Sequence, residues 1–125
     1  MNDAARLGHG DLELPEVITR YQEAHDRRHT AAALSVFAPD AMVVDENREY
    51  RGSDEIRHWL QTAAGEFTYT RTCVSAEAPA TDTWLVLNHL EGDFPGGVVD
   101  LCYKFVLTPD LIAELIIAPL SERHH

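Results

Sequence analysis

The feature that most constrains this chain is a change of hydrophobic period partway along it. Up to about residue 63, apolar residues recur at three- and four-residue steps. From Phe67 onward they alternate with other residues at every second position. The first pattern makes helices with one apolar stripe, and the second makes strands with one apolar face. Each needs the other as a cover. Helices segregated ahead of a run of strands predict an α+β domain: a strongly curved antiparallel sheet covered on one face by three helices. The 125 residues, 45% of them apolar, suffice for one domain with one core.

The domain is expected to span residues 12–119, between a loose N-terminal segment (1–11) and a short tail (120–125). Pro15 suits an early helical position, and Val17, Ile18, Tyr21, Ala24, His25 and Arg28 then share one face of a long first helix. Thr30 can cap a shorter second helix carrying Leu34 and Phe37 inward, which ends before Ala38-Pro39-Asp40. Ala41 to Val44 reads as a strand, and Asp45-Glu46-Asn47 as the turn into a second strand around Arg48-Glu49-Tyr50. Ser53, Asp54 and Glu55 supply a cap and two acids to a third helix bearing Ile56, Trp59, Leu60 and Ala63, with Gly65 as its stop. Four long strands follow: Phe67 to Val74, Thr83 to Glu91, Val98 to Leu107 and Leu111 to Ala118. Three helices leave the end of such a curve open, so a cavity between helices and sheet is expected.

Charge narrows the partners. Ten Lys and Arg against 21 Asp and Glu give a formal charge of -11, which repels nucleic acid and anionic membranes. No run approaches the ~18 apolar residues of a membrane span, and the N-terminus lacks a signal-peptide pattern, so a cytoplasmic protein is expected. Cys73 and Cys102 lack the close spacing of a zinc or redox pair and read as small buried hydrophobes. His25 and His29 stand four residues apart, yet no third metal ligand accompanies them. Neither a phosphate loop nor a nucleophile elbow is present, and nothing in the sequence demands a cofactor or metal. His124 and His125 are given no role.

Two stretches carry a family resemblance. Phe37-Ala38-Pro39-Asp40-Ala41, a short hairpin, then Arg51-Gly52 with Ile56 opening a helix, resemble the first half of the nuclear transport factor 2-like superfamily. Glu91 to Gly97 and Leu101-Cys102-Tyr103-Lys104-Phe105 are similar to its SnoaL-like members. Within the superfamily, the interval from Tyr21 to Asp45 matches ketosteroid isomerase. That resemblance implies that Tyr21 donates a hydrogen bond to a developing enolate oxygen while Asp45 moves a proton between carbons. Alignment on Phe105 puts Tyr103 where the isomerase carries a protonated carboxylic acid, so Tyr103 becomes a possible second donor.

Around these three catalytic candidates, His25, Trp59, Phe67, His89 and Phe105 are candidate substrate-binding residues. Asn88 and His89 point to opposite sides of their strand, and counting leaves open which looks inward. The expected function is cofactor-free proton transfer, of isomerase or cyclase type, on a small hydrophobic carbonyl compound. The alternative is a non-catalytic ligand-binding or dimeric accessory protein of the same fold. A homodimer through the outer sheet face is also expected, because Trp84, Val86, Val106 and Ile117 are too many apolar residues for one side of a sheet covered by three helices.

Overall fold

The computed structural model describes residues 14–62 and 68–119. Three helices, α1 (Glu16–Asp26), α2 (Thr30–Leu34) and α3 (Gly52–Gln61), accompany strands β1 (Phe37–Asp45), β2 (Arg48–Arg51), β3 (Tyr69–Ala80), β4 (Thr83–Gly92), β5 (Val98–Thr108) and β6 (Leu111–Pro119). The strands form one sheet in the order β2-β1-β6-β5-β4-β3. Expectation and structure agree on an α+β domain with helices ahead of a meander. One pairing departs from the all-antiparallel expectation: β1 runs parallel to β6.

That pairing arises because β1 is longer than the Ala41–Val44 run. Phe37, expected on the second helix, opens the strand opposite Ile112, and a register shift before Met42 absorbs Pro39, which has no N–H to give a ladder. The first helix is correspondingly shorter than expected. Arg28 lies beyond it in the left-handed region (φ 59°), while Arg28 N–H donates to the His25 carbonyl and His29 N–H to the Ala24 carbonyl. This is a Schellman end with arginine where glycine is usual. The β1–β2 turn has Glu46 and Asn47 both at positive φ, a two-residue geometry whose twist matches the strands. Ser53 and Asp54 do not cap α3. Instead the Glu55 carboxylate accepts the Arg51 backbone N–H at 2.7 Å, and Gly52 sits at φ 82°, where a side chain would be strained.

The core lies between the helices and one sheet face. A row of cross-strand partners, Val43, Leu115, Phe105 and Trp84, forms its floor, against which Ile18, Tyr21, Ile56 and Trp59 pack. Further register shifts in β3 and between Val106 and Leu107 mark bulges, which bend strands. Val86 and Ile117, expected on the outer face, belong to this inner core. The alternation places Leu85 and Leu87 outward with Ile116 and Val106, and all four remain half-buried.

A polar network also crosses the helix–sheet layer. Arg71 on β3 grips the Asp26 carboxylate through Nε at 3.1 Å and a second nitrogen at 2.7 Å, and donates to Asn88 Oδ1 at 3.3 Å. Asn88 in turn donates to Gln22 Oε1 on α1 at 2.9 Å. Removing the guanidinium strands three partly desolvated acceptors. Arg71→Met therefore lowers the unfolding free energy by about 2–3 kcal/mol, measured by urea denaturation, and an unchanged midpoint would contradict this.

Candidate functional site

The β1–β6–β5 ladder assembles the site. Asp45 is opposite Ile117, Ile117 is opposite Tyr103, and the three share the inner face. Tyr21 reaches the same place from α1, fixed edge-on against Phe37 (ring centroids 5.5 Å, 82°) and Phe105 (6.0 Å, 67°). The three catalytic candidates thus line one cavity of about 330 Å³, at the small end of the range for ligand pockets. His25 and Trp59 line it too. Leu90, Val99 and Leu101 form an apolar side, and Phe94 and Pro95 border it from the loop after β4. Gly92 begins that loop at a crowded place: a Cβ there would lie 2.3 Å from the Thr68 carbonyl oxygen.

Asp45 accepts a hydrogen bond from Trp59 Nε1 at 3.0 Å. Burial raises the Asp45 pKa above the ordinary carboxylate range, the Trp59 bond opposes that shift, and the nearby Glu46 charge adds to it. A carboxylate so placed is a stronger base than one in water, and one of its oxygens is already oriented. Tyr21 and Tyr103 are 2% and 6% exposed, and burial is the first cause pushing both pKa values well up. Both therefore keep their protons. Among the described residues neither hydroxyl has a hydrogen-bond partner, an exceptional state for a buried polar group.

Two binding candidates are corrected. His89 does not line the cavity: Val86, Asn88 and Leu90 take the inward positions of β4, so His89 faces out, bonded to Asp100 at 2.6 Å and Glu91 at 2.9 Å. Those two carboxylates, Asp100 first, raise its pKa. Asn88 does face inward, but its amide is used by Gln22 and Arg71 rather than by the cavity. Phe105 is fully buried one layer below, where it backs Tyr21 and stacks on Tyr103 (6.1 Å, 30°). It supports both tyrosine rings without lining the cavity. Phe67 lies outside the described residues.

The apolar lining residues Leu90, Val99, Leu101, Phe94 and Pro95 were not foreseen, and neither was a polar one. Tyr69 opens on the cavity from β3, with its Oη 3.2 Å from His25 Nδ1. Its place in the alternating run with Arg71 and Cys73 was the available signal, and it becomes informative once the inward face of β3 is known. Half-buried Cys73 and buried Cys102 form no disulfide, and no cluster of His, Cys, Asp and Glu among the described residues is arranged for a metal ion. No described helix is long and apolar enough to cross a membrane.

The SnoaL-like domain profile matches residues 18–111. Among solved structures, a Sinorhizobium meliloti protein described as a candidate polyketide cyclase superposes with a TM-score of 0.78 at 32% identity, covering 84% of this chain and 95% of that one. A Catenulispora acidiphila protein of ketosteroid isomerase-like fold, solved with trimethylamine, gives 0.74 at 18% identity over 85% and 86% of the two chains. A cystatin-like protein from Methylobium petroleophilum gives 0.70 at 18% identity over 84% and 74%. The last two likenesses concern the fold alone. No protein of curated function matches the chain. The profile match over most of the chain, and the Sinorhizobium relative, show that this protein belongs to the SnoaL-like family, with the nuclear transport factor 2-like fold.

Proposed function

We propose that this chain is an enzyme that moves a proton on a small, largely apolar carbonyl compound, in the manner of an isomerase or a polyketide cyclase. The observation that supports it most is the meeting, in one cavity, of a desolvated carboxylate with two buried hydroxyls that have no hydrogen-bond partner among the described residues. Asp45 takes the hydrogen α to the carbonyl, and the Tyr21 and Tyr103 hydroxyls hold the enolate oxygen that forms. Isomerisation and aldol-type cyclisation share this first step. No cofactor is required, because base and donors come from the chain itself. The cavity's size favours a one- or two-ring compound.

Exchange of α-hydrogens in deuterated buffer, followed by NMR on cyclohexanone and β-tetralone, tests this. Wild type is expected to accelerate exchange above the buffer rate. A complete lack of exchange would favour the alternative of a non-catalytic binding protein.

The same reading includes a homodimer through the outer sheet face and a cytoplasmic location. Leu85, Leu87, Val106 and Ile116 lie on the face opposite the described helices, and covering them would gain apolar burial. Two cysteines that form no disulfide fit a reducing compartment. Light scattering at about 10–50 μM, a range suited to ordinary dimer affinities, is expected to give twice the chain mass. Leu87→Glu should return the monomer, whereas a strictly monomeric wild type would refute the dimer.

A further inference from the structure

Three phenols open on the cavity, and their surroundings divide them into two kinds. Tyr21 and Tyr103 are enclosed and strongly held in the protonated form. Tyr69 is half-buried and has company: His25 Nδ1 lies 3.2 Å from its Oη, and the Arg28 guanidinium carbon is 5.2 Å from its ring centroid. Burial still raises the Tyr69 pKa most, but Arg28 and Arg71 both pull against it. A phenol near cations and bonded to an imidazole can release and regain a proton, whereas the two enclosed phenols serve better as fixed donors.

The placement of His25 extends the contrast. Its ring lies near-parallel to Trp59 (6.4 Å, 25°) and to Tyr69 (6.2 Å, 28°), and Trp59 holds Asp45. Asp45 and Tyr69 therefore stand at opposite ends of one connected row, and both face the same cavity. A single base suffices for isomerisation, because it returns the proton it took. An elimination needs a second group, since the departing oxygen wants a proton while the base keeps its own.

The geometry points to Tyr69, resupplied by His25, as the general acid for an oxygen leaving the carbon β to the carbonyl, which makes β-hydroxy and β-alkoxy ketones the substrate class. This rests on Asp45 being the base of the proposed reaction. Asp45 removes the α-proton, and the C–H electron pair becomes the new C=C bond. The Cβ–O bond breaks with its pair on oxygen, and the Tyr69 hydroxyl proton passes to that oxygen. His25, protonated at Nδ1, returns a proton to Tyr69, and solvent carries the proton on Asp45 back to His25. The net change is a β-oxygenated ketone to an enone plus water or an alcohol, with no oxidant or reductant.

The probes are the adducts of phenol and of para-nitrophenol with methyl vinyl ketone, with release of each phenol as the readout. Wild type should release both. Tyr69→Phe should slow phenol release about 100-fold or more and para-nitrophenol release far less, because nitrophenoxide leaves without being protonated. His25→Gln should show the same selectivity, which guards against a folding defect in either variant. Asp45→Asn should slow both alike. Equal slowing of the two adducts by Tyr69→Phe, or none, overturns the inference. So does a wild type that exchanges the α-hydrogens of both adducts yet releases neither phenol. A wild type that exchanges neither instead removes the base assignment, and this inference falls with it.

Discussion

Asp45→Asn lowers turnover by about 100- to 10,000-fold while leaving ligand affinity within a few-fold, the expected cost of removing a positioned base but not its shape. Asparagine is nearly isosteric, and its carbonyl oxygen can still accept the Trp59 Nε1 bond that Asp45 accepts at 3.0 Å. The cavity wall therefore survives while the proton acceptor goes. Wild-type kcat/KM should rise with pH through an apparent value above the ordinary carboxylate range, since burial is the first cause of the Asp45 shift. That acid limb should vanish in Asp45→Asn. Wild-type turnover by the Asn variant would exclude Asp45 as the base.

The same shift has a sign in stability. A carboxyl whose folded pKa lies above its unfolded value binds its proton more tightly when folded. Its favourable contribution is complete below the unfolded pKa and is lost as pH climbs through the folded one. Ionised Asp45 is thus a cost to the fold at neutral pH, so the inactive Asn variant should be at least as stable there, as catalytic sites often trade stability for activity.

Much of the fold was legible because period is a local property. Ile18, Tyr21 and Ala24 announce a buried helical stripe, and the alternation beyond Phe67 announces strands. The parallel β1–β6 pair was not legible, since pairing between distant segments leaves no periodic trace. Pro39 looked like a stop, but a register shift lets the strand pass it. At the site, resemblance brought Tyr21, Asp45 and Tyr103 forward, and the cavity unites them. Period two left the face of β4 undecided between Asn88 and His89. That choice depends on Gln22, a residue far away in sequence whose amide bonds Asn88. Tyr69 escaped for the same reason, because its partner His25 sits on a different element.

Tyr21→Phe should lower turnover by about 100- to 1,000-fold, the usual cost of losing one donor to a developing oxyanion. The substitution removes one oxygen and keeps the ring, so the edge-on packing against Phe37 and Phe105 persists. A buried hydroxyl without a partner among the described residues contributes little to the fold, and exchanging it for hydrogen removes a desolvated polar group. Tyr21→Phe should therefore match or exceed wild type in urea denaturation while losing activity, a separation that a merely structural tyrosine would not give. Tyr103→Phe probes the second proposed donor, which lines the cavity from β5 with its ring stacked on Phe105. If both hydroxyls serve one enolate oxygen, the double variant loses less than the product of the two single losses, because the remaining donor and water adjust around a shared acceptor. Fully multiplicative losses would assign the two phenols to different atoms, and wild-type turnover in Tyr21→Phe would end its role as a donor.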